Sequence, residues 1–93
     1  MDTEHIDTYL TLVFSTQDKA EIARRILGSP TLSCVRDAYN DYEKFCNARM
    51  IKTVPVHRFL LHICEEYSLG YKSASKVNEF GNTVMYTTFC EAE

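Results

Sequence analysis

Glycine and proline are scarce in this chain, with three and two among 93 residues. That scarcity excludes disordered and low-complexity character. Long apolar runs are missing as well. None approaches the roughly 20 residues of a membrane-spanning helix, so no membrane partner is expected. The four cysteines, Cys34, Cys46, Cys64 and Cys90, form no C-x-x-C pair. Zinc-finger and thioredoxin-like chemistry therefore fail at the first step. The first three cysteines fall near apolar stripes of expected helices, where free cysteine packs as a small hydrophobe, so buried reduced thiols are expected. A Gly-rich phosphate loop is absent. His62 and Cys64 stand two apart on one expected helix and point about 200° apart, so they cannot meet as base and nucleophile. His57 and His62, five apart, lie on different faces and make no metal pair. No catalytic residue, metal, cofactor or small-molecule substrate is expected, and the chain does not read as an enzyme.

Net positive charge is lacking too: 13 acids stand against 10 Lys and Arg, for a net −3. A dedicated nucleic-acid binder is more often basic. The distribution is uneven, however. Met1 to Ile22 holds Asp2, Glu4, Asp7, Asp18 and Glu21 against Lys19 alone. Lys52 to Val77 holds Lys52, Arg58, Lys72 and Lys76 against Glu65 and Glu66, and His57 and His62 can add positive charge. The N-terminus is acidic and has no charged-then-apolar signal pattern. An intracellular protein is expected, nuclear in a eukaryotic or nuclear-virus setting and cytoplasmic otherwise.

What is present is apolar content of 45%, including six tyrosines and five phenylalanines. That is enough for one compact core, and residues 1–93 read as one domain. Residues 1–28 read as a helical extension and residues 33–89 as the core. Over residues 5–15, Ile6, Tyr9, Leu10 and Val13 make a helical stripe, which favours helix. The β-branched and aromatic content of Thr8 to Phe14 also fits a strand. Ser15 to Leu27 reads as a helix capped by Ser15 or Thr16, with Asp18 at capping-box spacing. Its inner face is Ile22, Ala23, Ile26 and Leu27, and Gly28 supplies a left-handed stop before Pro30. Ser33 caps the next helix, which runs to about Arg49. Val35, Ala38, Tyr39, Tyr42, Phe45 and Cys46 recur on its apolar side, and the two tyrosines read as core rings with hydroxyls at the rim.

Thr53 or Val54 opens the following helix, and Pro55 suits its first turn. Val56, Phe59, Leu60, Ile63, Cys64 and Tyr67 form its buried stripe. His57, Arg58, Leu61, His62, Glu65 and Glu66 lie away from it, and Gly70 closes it. Tyr71 to Val77 and Thr83 to Phe89 then alternate with period two and pair as a hairpin. Gly81 and Asn82 supply turn chemistry between them. Cys90 to Glu93 reads as a frayed end, and His5 as a tail residue.

Helices followed by a helix and then a hairpin is the order of a winged helix-turn-helix, an α+β and mostly α fold. The residues Ala38 to Cys46, then Val54 to Phe59, then Phe80, Gly81 and Val84 to Tyr86, strengthen that reading. They resemble winged-helix domains of the regulatory factor X type, found in transcription factors and chromatin-remodelling subunits. They are also similar to the C-terminal domain of viral and phage primase-helicases. The resemblance covers roughly residues 29–89 and consists of core and turn positions. It implies double-stranded DNA as partner and a role in transcription, chromatin or replication control. One departure stands out: the regulatory factor X type carries Arg and Lys beside the wing glycine, whereas Asn78 to Thr83 has no basic residue.

On this reading Arg58, His57 and His62 face the major groove, and Lys52, Lys72 and Lys76 touch phosphates. The alternative is a protein-interaction module on the same scaffold, for docking or homodimerisation. Leu61 on the outer helix face and Phe80 at the hairpin tip are then the apolar anchors.

Overall fold

Apolar residues at three-to-four spacing build four helices in the chain up to Glu66. These are α1 (Glu4–Phe14), α2 (Lys19–Gly28), α3 (Val35–Ala48) and α4 (Val56–Glu66). The period-two segments that follow form β1 (Leu69–Val77) and β2 (Thr83–Glu91), paired antiparallel in a two-stranded sheet. The computed structural model describes residues 3–92, an α+β fold that is about half helical. Met1, Asp2 and Glu93, counted above in the acidic N-terminus and the frayed end, lie outside the described residues. No described helix is long and apolar enough to cross a membrane.

The ambiguous segment is helix. Ile6, Tyr9 and Leu10 are buried, while Val13 and Leu12 are exposed and Phe14 is the residue of the last turn that packs against the core. Ser15 then takes a left-handed conformation (φ 55°) and ends α1. It therefore cannot cap α2, and neither does Thr16. Asp18 does so: its Oδ1 accepts the N–H groups of Ala20 at 3.0 Å and Glu21 at 3.4 Å. Asp18→Ala is expected to cost about 1 kcal/mol and to lower Tm by roughly 4–8 °C in a thermal melt.

Gly28 is not a left-handed stop; it is the last helical residue, and among the described glycines only Gly81 has positive φ. The helix ends because Ser29 precedes Pro30. The proline ring disfavours helical backbone at the residue before it, and Ser29 is extended. Ser33 does not cap α3 either. Its carbonyl accepts the Phe89 N–H at 2.8 Å, and Cys34 forms an isolated antiparallel bridge with Thr88. The N-cap position falls to Cys34, which makes no side-chain cap bond. Gly70 does not close α4. Tyr67 and a left-handed Ser68 (φ 54°) do, and Gly70 sits in β1 opposite Cys90. That pairing carries β2 through Cys90 to Glu91, so the expected frayed end is strand as far as Glu91.

One apolar cluster holds these elements. The N-terminal segment supplies Ile6, Tyr9, Leu10, Ile22 and Ile26. It is thus built into the core rather than added to it. Val35, Ala38, Tyr42 and Cys46 come from α3, Phe59, Leu60 and Ile63 from α4, and Leu69 and Phe89 from the root of the hairpin. Val56, expected in the stripe, is 45% exposed, because α4 starts at the edge of the core.

At the centre the Tyr42 ring lies 4.7 Å from Phe59, 5.5 Å from Tyr39 and 5.9 Å from Tyr9, centroid to centroid. His5 is no tail residue; it stacks on Tyr42 at 5.5 Å. The Tyr42 hydroxyl is inside rather than at a rim. It accepts the Val54 N–H at 3.0 Å and lies 2.6 Å from His5 Nε2. Tyr9 donates to Asp41 at 2.6 Å and Tyr67 to Asp7 at 2.9 Å. Each ring thus buries its body and satisfies its polar end.

Candidate nucleic-acid interface

Two tyrosines of α3 set the approach to α4. Tyr39 donates to the Val54 carbonyl at 2.6 Å, and Tyr42 accepts the Val54 N–H. Both backbone polar groups of Val54 are spent, which pins the segment entering α4 to α3. Pro55 is the N-cap of α4, and no side chain caps that end. A helix N-terminus carries partial positive charge and N–H groups aimed outward.

Around it lies an open groove of about 480 Å³, lined by His5, Ile51, Lys52, Thr53, Val54, Pro55 and Arg58. Two cations, a histidine and a helix N-terminus meet there among the described residues. Lys52 and Arg58 are both exposed. His57, also exposed, is their neighbour on the first turn. Leu61 is 37% exposed and follows on the same outer face.

The other sequence candidates lie elsewhere. His62 does not share that outer face. Its Nε2 is 3.0 Å from Asp7 Oδ1, and its side chain is only 13% exposed. Asp7 thereby joins α1 to α4 through two donors, His62 and Tyr67. Lys72 and Lys76 occupy one face of β1, opposite Thr88 and Val84. Both are exposed, neither lines the groove, and Lys76 Nζ stands 6.0 Å from the Tyr86 ring centroid. The structure therefore brings Lys52 and Arg58 together in the groove, places exposed His57 outside its lining, and leaves Lys72 and Lys76 on the hairpin. His5 is the groove residue that sequence reasoning missed. Its link to Tyr42 spans 37 residues, and no local pattern announces it.

Phe80 is 79% exposed. Its turn is built by Asn78, whose Oδ1 accepts the N–H groups of Phe80 at 2.9 Å and Asn82 at 3.0 Å. Gly81 takes φ 81°, a conformation glycine adopts without strain. A second groove of about 480 Å³ runs between α3 and β2, with Val35, Tyr39, Val56 and Met85 among its lining.

Among the described residues no group of three or more His, Cys, Asp or Glu could hold a metal ion. The cysteines are free thiols. Cys46 is fully buried, and the other three are half-buried rather than buried. Burial pushes the Cys46 and Cys64 thiols up, which keeps both protonated and poorly nucleophilic. Compared with protein-family models, curated proteins and solved structures, the chain matches none, and the reading of this site rests on its own residues.

Proposed function

We propose that this chain is a non-enzymatic winged-helix module that binds double-stranded DNA through the N-terminal turn of α4. The observation that carries the reading is the groove at that turn. Lys52, Arg58 and a helix N-terminus without a side-chain cap among the described residues converge there. Backbone N–H groups and the helix dipole suit a phosphate, and the two cations add counterion release. Arg58 is long and forked enough to reach a guanine edge beside the phosphate contact.

The element order supports the scaffold. Helix α2, the bridging residue Cys34, α3, α4, β1 and β2 follow the order helix, short strand, helix, helix, hairpin of a winged helix. In that fold α4 is the groove reader and the hairpin is the wing. Lys72, midway along β1, and Lys76, near the hairpin turn, extend the phosphate contacts.

Fluorescence anisotropy on a labelled mixed-sequence duplex tests this. The native chain is expected to bind at low salt, with an affinity that falls steeply as salt rises. Lys52→Glu with Arg58→Glu is expected to weaken binding at least about tenfold and to lower the salt slope by roughly 2. No binding at low salt, or a double variant that binds like the native chain, sinks the reading.

The second reading is a protein-docking module without DNA binding. It draws on the hairpin turn, which carries exposed Phe80 and no basic residue.

A further inference from the structure

A methionine stands where the end of α3 favours glycine. The Ile51 N–H donates back to the Cys46 carbonyl at 2.9 Å, and the Met50 N–H to the Asn47 carbonyl at 3.4 Å. That pair of bonds closes a helix through one left-handed residue, which is usually glycine. Here the residue is Met50, at φ 57°. A Cβ in that conformation crowds its own backbone, and glycine avoids the crowding. The other left-handed non-glycine residues described, Ser15 and Ser68, are small and polar.

Packing does not compensate Met50. It is 95% exposed, more than any other large apolar residue described. The apolar contact that often accompanies such a helix end falls to Ile51, which packs against the core. Among the described residues, nothing therefore offsets either the strain or the exposure of Met50. Backbone strain of this kind concentrates at functional sites.

We propose that Met50 is an apolar contact to double-stranded DNA at the edge of the groove beside α4. The inference rests on the DNA reading of that groove. Position and charge identify the occupant. The two residues after Met50, Ile51 and Lys52, line the groove together with Arg58. From Arg49 to Arg58 the sequence holds Arg49, Lys52 and Arg58 and no acid, in a chain of net charge −3. An apolar side chain set among cations suits a polyanion that also offers apolar surface. Duplex DNA offers both, since thymine methyl groups project into its major groove. Methionine is flexible and polarisable, so it adapts to such a surface. Lys52 and Arg58 then supply the charge, and Met50 supplies a contact that releases no counterions.

The anisotropy titration, repeated with Met50→Gly and Met50→Leu and joined to thermal melts of the free chains, tests the proposal. Met50→Gly is expected to raise Tm by roughly 2–8 °C, because the strain is relieved. It is nevertheless expected to weaken duplex binding about tenfold at every salt concentration, with the native salt slope. Met50→Leu, apolar and close in volume, is expected to keep most of the affinity. If the native chain does not bind duplex, or Lys52→Glu with Arg58→Glu binds as it does, the DNA reading of the groove falls and this inference with it. If that double variant loses binding while Met50→Gly binds like the native chain, the inference alone falls. A Met50→Gly chain that melts below the native one, or a Met50→Leu chain that binds as weakly as Met50→Gly, also overturns it. Met50-dependent binding to phosphatidylserine vesicles, or a Met50-dependent dimer in sedimentation equilibrium, in place of duplex binding assigns the residue to another partner and overturns it as well.

Discussion

Truncating Phe59 to alanine lowers the melting temperature by roughly 15–35 °C. Phe59 is fully buried, and its ring meets those of Tyr42 and Tyr39 at 4.7 and 5.5 Å. Removing such a side chain forfeits its transfer free energy and leaves a cavity, together about 3–5 kcal/mol. A domain of this size has a total stability on the order of 5–14 kcal/mol, so one truncation removes a large share of it. The cavity cannot relax easily. Both backbone groups of Val54 are held by the same two tyrosines, which fixes the cluster from the other side. Thermal circular dichroism measures the shift. A drop under about 5 °C would mean that the aromatic cluster is not the centre of the core.

Alkali is expected to unfold the domain between about pH 10 and pH 12. Burial pushes the Tyr42 phenol up to about 12, partly opposed by the Val54 N–H that it accepts. The Tyr9 and Tyr67 phenols are raised as well, by burial first and then by the carboxylates of Asp41 and Asp7 beside them. The folded state therefore holds these protons more tightly than the unfolded chain, whose phenols ionise near 10. The stabilisation is fully present below about pH 10 and is lost as pH rises through the folded values. Tyr42 alone accounts for a loss of about 2–3 kcal/mol by pH 12, and the other two rings add to it. Phenolate absorbance and far-ultraviolet circular dichroism followed together test this. These tyrosines are expected to ionise in one cooperative step that coincides with loss of helix. If all six tyrosines ionised smoothly near pH 10 with the helices intact, the expectation would fail.

The hairpin was almost fully legible in the sequence. Its turn, both flanking runs and the exposure of Phe80 follow from period-two alternation and from Asn78, Gly81 and Asn82, all of which are local signals. Three helices were legible for the same reason, since their stripes repeat over several turns, while residues 5–15 read as helix or strand. Their ends were not. Ser15, Ser33 and Gly28 are plausible caps and stops by residue type, yet other demands decided each position. Ser15 had already turned left-handed, Ser33 was taken by Phe89, and Ser29 was bent by Pro30. The candidate site was half legible. Exposure of Lys52, His57 and Arg58 follows from their place off the apolar stripe. The capture of His62 by Asp7 does not, because the two lie 55 residues apart and only the packed core brings them together. The place of His5 is hidden for the same reason.

The tyrosine hydroxyls have a mechanical consequence. Apolar faces alone allow a helix to slide along its neighbour, since greasy contacts re-form at nearby offsets. Here Tyr9 ties α1 to α3, Tyr67 ties the end of α4 to α1, and Tyr39 and Tyr42 clamp the strand of chain entering α4. Sliding α1, α3 or α4 by one turn, about 5.4 Å, breaks at least one of these ties in a poorly solvated place. The helical body therefore has a single gear and moves as one piece. Among the described residues the distal hairpin has no such fasteners beyond its own ladder and the Ser73 to Thr87 hydroxyl contact. Slow flexing is therefore expected to concentrate in the hairpin, swinging about its root at Leu69 and Phe89 against a stiffer body.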